Sequence, residues 1–447
     1  MQKLSRMLLG LLLVVQASVV GAALPTSHPT PRLVLILIRH GVRAPTKPAH
    51  ALDRYAANQW PRWSVAPGDL TAHGARVLLG EGQWLARWLQ ARQVPLQGCT
   101  DDANWAIATD SDQRTIASGR ALQSGMVPGC TRAVIAHPQD QPDPLFDGVA
   151  GGVAQLDAAT ARAALAGRLG DDPALALRGQ HANARALEQV LFGCSGARCR
   201  ERAAAAGKQP FMLHAAAVHS AHDGMAKLVG PLPLAAMLAG NIILEYEQGL
   251  PLTQVGWGRL DHADALAPLF ALRQAEADLV KRTPYLAAAR SGNLLTWIGA
   301  SLSQAANGGA QPAPLQGRPA VIVLVGHDTN LSNLQALLGL RWRLPEQPDP
   351  YAPGSAMVLS LYSDAAGDSV RAQVVAPTLT ALRAGSVDAH QGMVSVPVFI
   401  PDCSKGTPGY PCPLTVLLGR IRAAVPPHAA ALQLRQMLDT PAQIPKP

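Results

Sequence analysis

Two short segments place histidine and charged side chains directly after uninterrupted apolar runs. The first reads "LVLILIRHGVRAPT" and the second "VIVLVGHDTN". They contain five side chains that suit phosphoryl chemistry, namely Arg39, His40, Arg43, His327 and Asp328. A neutral imidazole can attack phosphorus, guanidinium groups donate paired hydrogen bonds to phosphate oxygens, and a carboxylic acid can protonate a leaving alkoxide. Because the guanidinium groups neutralise charge, this chemistry requires no metal ion or other cofactor.

The apolar runs before these motifs are typical of strands that are buried on both faces. They cover Leu33–Ile38 and Val321–Val325, and helical sequence occurs after each of them. This alternation predicts an α/β fold, which we expect to be a three-layer sandwich around a mainly parallel central sheet. Ligands of such sheets bind beyond the carboxyl ends of the strands. If the two strands are parallel neighbours, both histidines lie at one edge.

Other segments predict how the rest of the chain is organised. Thr71 is placed to cap a helix, Trp105–Ala108 indicates a strand, and a helix is expected from about Gln113. From about residue 155 the chain becomes alanine-rich and helical. We therefore expect an α/β catalytic domain made of residues 24–154 and 283–447, interrupted by a smaller all-α insertion at 155–282.

The N-terminus resembles a secretory signal. Lys3 and Arg6 precede an apolar stretch, and the small residues Gly21, Ala22 and Ala23 complete the pattern. The alternative is a membrane anchor, but the stretch is shorter than the roughly 20 residues that span a bilayer. We expect residues 1–23 to be removed, which leaves a periplasmic or secreted protein without stable membrane insertion.

The charge pattern favours a small anionic substrate. The formal charge of +8 falls to +6 when Lys3 and Arg6 are removed, and no lysine or arginine tract is present. A modest basic excess suits an anionic substrate and is weak support for a nucleic-acid partner. We expect a monomer that binds a small phosphate ester and no nucleic acid.

Six cysteines in an exported chain suggest three disulfides, although 15 pairings are possible. Nearest neighbours give the simplest set, Cys99–Cys130, Cys194–Cys199 and Cys403–Cys412. A zinc site is the alternative, and the spacings do not favour it. The segment "HAAAVHSAHDG" also suggests metal ligands, but its histidines do not share one helical face, so a solvated loop or helix entry is the better interpretation.

The pair "RHGVRAPT" and "GHDTN" resembles the histidine acid phosphatases, in particular the bacterial periplasmic phytase and glucose-1-phosphatase branch. Further similar segments are "NQWPRWSVAPGDLTAHG", "DSDQRT", "PDPLF" and "GLPLTQVGWGRL". The resemblance therefore spans most of the chain after the signal.

This resemblance implies a role for each matching residue. His40 matches the nucleophile that becomes phosphohistidine, and Asp328 matches the proton donor to the leaving group. The positions that match phosphate-binding residues of the family are Arg39, Arg43, Thr46, Arg114 and His327. Lys47, beside the first motif, is a possible contact for a polyphosphorylated substrate. No metal is implied.

Three departures from the family pattern concern the substrate and a disulfide. Phytases have an acidic residue in a substrate-facing helix where this chain aligns near Gly240, and the pocket segment "DSDQRT" is intermediate between the two branches. Ala154 stands where relatives have one cysteine of a further disulfide, and no cysteine follows Cys412. The resemblance thus implies an acid phosphomonoesterase, with phytate as the leading substrate. The alternatives are a glucose-1-phosphatase or broad sugar-phosphate phosphatase, and a phosphate- or polyanion-binding protein without catalysis.

Overall fold

The computed structural model describes residues 30–439, except residues 171, 261, 316, 389 and 390. The predicted export signal, residues 1–23, lies outside the described residues. Within the described part of the chain, none of the helices has the length and apolar character needed to cross a membrane.

Ten strands occur in the described chain, and eight of them form one central sheet. They are β1 (Leu33–Arg39), β2 (Trp105–Thr109), β3 (Ile135–Ala136), β4 (Ala217–Ser220), β5 (Ala226–Val229), β6 (Val321–Gly326), β7 (Ala356–Asp364), β8 (Gly367–Pro377), β9 (Met393–Val398) and β10 (Cys412–Pro413). The order is β10-β8-β7-β1-β6-β2-β3, with β9 also paired to β8, while β4 and β5 form a separate hairpin.

The strands that carry the two motifs are parallel neighbours at the centre of this sheet. β1 pairs in parallel with β6, and Arg39 lies opposite Gly326. β2 continues the parallel part beyond β6, whereas β7 pairs antiparallel with β1. Every residue of β1 and β6 is buried, which explains their continuous apolar sequences. The expected juxtaposition of the two strand ends is confirmed.

Helices cover both faces of the sheet, which gives the predicted three layers. In chain order the helices are α1 (Ala49–Leu52), α2 (Ala72–Gln90), α3 (Gln113–Met126), α4 (Ala158–Leu169), α5 (His181–Phe192), α6 (Ala197–Ala205), α7 (Pro231–Glu247), α8 (Ala267–Glu276), α9 (Pro284–Ala306), α10 (Asp328–Leu338), α11 (Leu379–Ala384), α12 (Leu414–Ala424) and α13 (Leu432–Asp439). Alternate β1 side chains enter the two cores, one shared with α2 and α3 and the other with α9, α10 and α12. The predicted α/β fold class is confirmed.

Helix α2 locks the loop after β1 in place. Thr71 caps it as predicted, because its hydroxyl accepts a hydrogen bond from Gly74 N at 2.9 Å. Gly74 must lack a side chain, since a Cβ there would lie 2.2 Å from the carbonyl oxygen of Val42. The loop that follows His40 is therefore held directly against a rigid helix.

The segment 155–282 contains a two-stranded hairpin that the all-α prediction did not include. Residues 217–220 and 226–229 pair antiparallel, with His219 opposite Lys227, and Gly224 takes the positive φ of the turn between them. Four-residue strands are too short to show alternation clearly in a sequence, so the interpretation of "HAAAVHSAHDG" as a loop or helix entry missed the strand through His219, while His214 and His222 do lie in loop and turn. The domain boundaries stay a prediction.

The cysteines pair as their nearest neighbours suggested. Disulfides join Cys99 to Cys130, Cys194 to Cys199 and Cys403 to Cys412. Because all six lie in the described chain and none is free, no thiolate remains for the alternative zinc site.

Glu81 of α2 is a fully buried acid whose two carboxyl oxygens have no hydrogen-bond partner. Burial raises its pKa well above the ordinary value. The unfolded chain therefore releases this proton at a lower pH than the folded protein, so the residue destabilises the fold increasingly as the pH rises above about 4.5.

We expect Glu81→Gln, which removes the ionisable group, to raise the free energy of unfolding more at pH 7 than at pH 4. Urea unfolding of both proteins at the two pH values measures this difference. An equal effect of the substitution at pH 4 and pH 7 would show that Glu81 does not titrate in this range.

Candidate active site

The two predicted motifs meet at the carboxyl edge of the parallel strands. The backbone N–H of His40 donates to the carbonyl of Gly326 at 2.9 Å, which continues the β1–β6 ladder by one residue. The imidazole rings of His40 and His327 are 5.4 Å apart between centroids. The sheet register thus holds both rings over one small region.

The His40 ring is oriented by its own backbone. Its Nδ1 lies 2.8 Å from the carbonyl oxygen of Gly41, and this contact assigns the proton to Nδ1 and leaves a lone pair on Nε2. Only 3% of the residue is exposed. Burial, and then the positive charges of neighbours led by Arg39, hold the pKa of His40 well below its ordinary value. A neutral imidazole with a free Nε2 has the form required for attack on phosphorus.

Three arginines converge on His40 from different elements. Arg39 ends β1 and donates to the backbone carbonyl of Tyr351, while Arg114 in the first turn of α3 donates to Asp112 at 2.6 Å. Burial and the charges of Arg39 and Arg114 lower the pKa of Arg43 to about 9, so it remains cationic at acid and neutral pH. Such a concentration of guanidinium donors suits a phosphate dianion.

Thr46 and Lys47 lie at the margin of this cluster. Both are exposed. The Cγ2 atom of Thr46 and the Nη1 atom of Arg114 flank Gly68, at 3.9 and 3.7 Å from the position of a Cβ atom on that glycine. Lys47 instead lines a neighbouring cleft together with Trp60. The structure therefore brings Thr46 close to Arg114 and places Lys47 in the neighbouring cleft.

His327 is held by two carboxylates that sequence reasoning did not single out. Its Nε2 lies 2.6 Å from Asp110 and 3.3 Å from Asp112. Burial raises the pKa of Asp110, but the hydrogen bond and charge of His327, the backbone N–H of Ser111 and the charge of Arg114 together outweigh burial and lower the pKa. The imidazole nitrogen and the two carboxylate oxygens that could bind a metal ion lie within 4.8 Å of one another. Hydrogen bonds among them and from Arg114 already account for this arrangement, so we assign no metal site to it.

Asp328 is the first residue of α10 and lies between two cations. Its Oδ2 accepts from Lys281 Nζ at 2.9 Å, and Arg273 Nη2 is 3.5 Å away. Burial raises the pKa of this carboxyl, but Lys281, Arg39 and Arg273 outweigh burial and hold the pKa well below its usual range. Asp328 is therefore ionised in this structure, whereas its predicted role requires a proton. The sequence could not indicate this charged state, because Lys281 and Arg273 are far from Asp328 in the chain.

A buried acid completes the network behind the arginines. Asp349 is 4% exposed, and its Oδ2 lies 3.7 Å from Arg39 Nη1 and 3.8 Å from Arg273 Nη2. No motif pointed to Asp349, Arg273 or Lys281, because each reaches the site only through tertiary packing. Asp110 had a signal, since it begins the "DSDQRT" segment that supplied Arg114.

Comparisons with known proteins agree with this geometry. Residues 32–190 match the family model described as histidine phosphatase superfamily (branch 2). The chain is 33% identical to phytase AppA of Escherichia coli (strain K12) over 379 residues, which cover 81% of this chain and 84% of the relative. It is 28% identical to a glucose-1-phosphatase of Salmonella typhimurium, covering 74% of this chain and 76% of that protein.

Solved structures extend the similarity to the whole fold. The phytase of Hafnia alvei, in complex with myo-inositol hexakis sulphate, superposes with a TM-score of 0.79 at 30% identity. The alignment covers 90% of this chain and 98% of the Hafnia chain. The similarity therefore extends over nearly the whole fold, and the chain belongs to branch 2 of the histidine phosphatase superfamily.

Proposed function

We propose that this protein is an exported acid phosphomonoesterase that works through a phosphohistidine at His40, with phytate as its leading substrate. The observation that carries the proposal is the state of His40. It is buried, neutral and oriented, with Nε2 free, inside a cluster of three arginines. A binding protein for phosphate has no need of a neutral, oriented imidazole at the centre of its cations.

The reaction proceeds in two balanced steps. Arg39, Arg43 and Arg114 bind the phosphoryl oxygens, and His40 Nε2 forms a bond to phosphorus as the bond to the ester oxygen breaks. Asp328, when protonated, gives its proton to the leaving oxygen. A water molecule then attacks the phosphohistidine, its proton passes to Asp328, and His40 regains its lone pair as inorganic phosphate departs.

Phytate as the substrate is supported by positively charged side chains other than the arginines that bind the scissile phosphate. Lys47, Arg273 and Lys281 surround the catalytic cluster and suit a substrate with several phosphates. Relatives named phytase and glucose-1-phosphatase both match the chain, so glucose 1-phosphate is the second candidate. Comparison of kcat/KM for phytate, glucose 1-phosphate and an aryl phosphate distinguishes the two, and a higher value for glucose 1-phosphate would reject phytate.

We expect the reaction to be independent of metal ions, because arginines carry the charge that a metal would otherwise neutralise. Hydrolysis of a chromogenic aryl phosphate at about pH 5 should keep its full rate after incubation with EDTA. EDTA already saturated with Mg²⁺ serves as the control for binding of the chelator itself. Loss of activity with free EDTA alone would contradict the metal-free mechanism.

We also propose that the enzyme is periplasmic or secreted and acts as a monomer on small phosphate esters. The predicted signal in residues 1–23 and the three disulfides support an oxidising compartment. No partner other than a small-molecule substrate is needed to complete the cluster around His40.

A further inference from the structure

A widened helical turn brings Lys281 to Asp328. Helix α8 ends at Glu276 and continues as a π-helical turn over Ala277–Lys281. Such turns are rare and often occur at functional sites. The turn places Lys281 Nζ at 2.9 Å from Asp328 Oδ2, although the two residues are far apart in sequence.

Arg273 occupies space that a glycine leaves open. A Cβ on Gly240 of α7 would lie 2.5 Å from Arg273 Nη1, so any larger residue at position 240 would displace this guanidinium. In the observed position Arg273 reaches the same Asp328 oxygen as Lys281, at 3.5 Å. Both cations line a cavity of about 190 Å³ whose wall also includes Asp328 and Met237.

The charges that face Asp328 are predominantly positive. The cations are Arg39, Arg43, Arg273 and Lys281, and the other acids that act on Arg273 are Asp349, Glu247 and Glu276. Burial raises the pKa of Glu247 to about 8, so Glu247 is neutral at acid pH and does not offset the cations. Arg39 and Arg43 belong to the arginine cluster around His40, whereas Lys281 and Arg273 line the cavity beside Asp328.

The proton donor must lie next to the ester oxygen, so the leaving group lies beside the Asp328 carboxyl. The cavity that Asp328 shares with Lys281 and Arg273 has room for the atoms attached to that oxygen. We propose, on the basis of the proposed function, that Lys281 and Arg273 bind an anionic group of this leaving part, such as a neighbouring phosphate, and release Asp328 from its ion pair when they do so.

Binding of the second anion would allow Asp328, the proton donor, to become protonated. In the structure Asp328 is ionised because Lys281, Arg39 and Arg273 stabilise its negative charge. When the scissile phosphate binds Arg39 and a second anion takes over Lys281 and Arg273, that stabilisation is removed and the carboxylate accepts a proton from solvent. That proton then passes to the leaving oxygen as the ester bond breaks. A neutral leaving group leaves the ion pair intact, so the site favours esters with a second phosphate beside the scissile one.

The test compares two substrates that share a ring and differ in neighbouring charge, myo-inositol hexakisphosphate and myo-inositol 1-phosphate. In Lys281→Gln we expect the ratio of kcat/KM, hexakisphosphate over monophosphate, to fall about tenfold or more. Arg282→Gln is the matched control, since it removes the same charge from the next residue, which pairs with Asp278 instead. Lys281→Arg keeps the charge and should keep most of the preference.

The pH profile gives a second readout that a structural role would not change. With myo-inositol 1-phosphate, the alkaline limb of kcat/KM should move to higher pH in Lys281→Gln, because Asp328 then holds its proton more tightly. An active Lys281→Gln protein with an unchanged ratio and an unchanged limb would overturn the inference and leave the proposed function standing. A wild-type protein that hydrolyses neither substrate would overturn the proposed function, and the inference with it.

Discussion

Replacement of His40 by alanine is expected to abolish turnover of all phosphomonoesters, with kcat reduced on the order of 10⁴-fold or more. The arginines can still bind phosphate, but no other described side chain presents a neutral, oriented nitrogen inside their cluster. His327 cannot substitute, because its Nε2 is engaged by Asp110 at 2.6 Å. Steady-state rates with phytate and with an aryl phosphate measure the loss.

Binding of inorganic phosphate separates loss of chemistry from loss of the site. Because Arg39, Arg43 and Arg114 remain, the dissociation constant for phosphate, measured in a binding assay, should change by less than about tenfold in His40→Ala. His181→Ala removes an exposed histidine at the start of α5 and should leave turnover unchanged. Label from a ³²P-phosphomonoester, trapped under alkaline quench, should be found on His40 in the wild type. Full turnover by His40→Ala would remove His40 as the nucleophile.

The central sheet could be predicted from sequence because burial on both faces leaves a clear signal. Leu33–Ile38 and Val321–Val325 are continuous apolar runs, and the structure extends each by one residue into its motif. The length and continuity of these runs, with the rule that ligands bind at the carboxyl ends of parallel strands, then predicted that His40 and His327 lie close together. The helix cap at Thr71 could also be predicted from the sequence, since it depends on residues within one helical turn.

The rest of the site could not be predicted from the sequence, because it is formed by contacts between segments that are far apart in the chain. Lys281 reaches Asp328 through a π-helical turn, and Arg273 reaches it across Gly240. No periodicity in either segment distinguishes these cations from solvated surface charges. The same applies to Asp349, whose burial beside Arg39 depends on how a loop packs.

Asp328→Asn is expected to divide substrates by the basicity of their leaving groups. Asparagine keeps the shape of the side chain but cannot supply a proton, so sugar and inositol phosphates should lose about 10²- to 10⁴-fold in kcat. Aryl phosphates release a far less basic oxygen and should lose much less. Measurement of kcat for phytate and for an aryl phosphate in the same preparation tests this. Equal losses on both substrates would contradict the role of Asp328 as proton donor.

The KM for phytate should stay unchanged or fall in Asp328→Asn, although kcat falls. Asp328→Asn removes the carboxylate that pairs with Lys281 and Arg273, which frees both cations for an anionic leaving group. Binding of phytate should therefore be retained or tightened while turnover falls, because ground-state attraction increases as the proton donor is lost. Asp278→Asn, which changes an exposed acid paired with Arg282, should alter neither constant. A rise in the KM for phytate in Asp328→Asn would show that Asp328 positions the substrate and does not restrain the cations beside it.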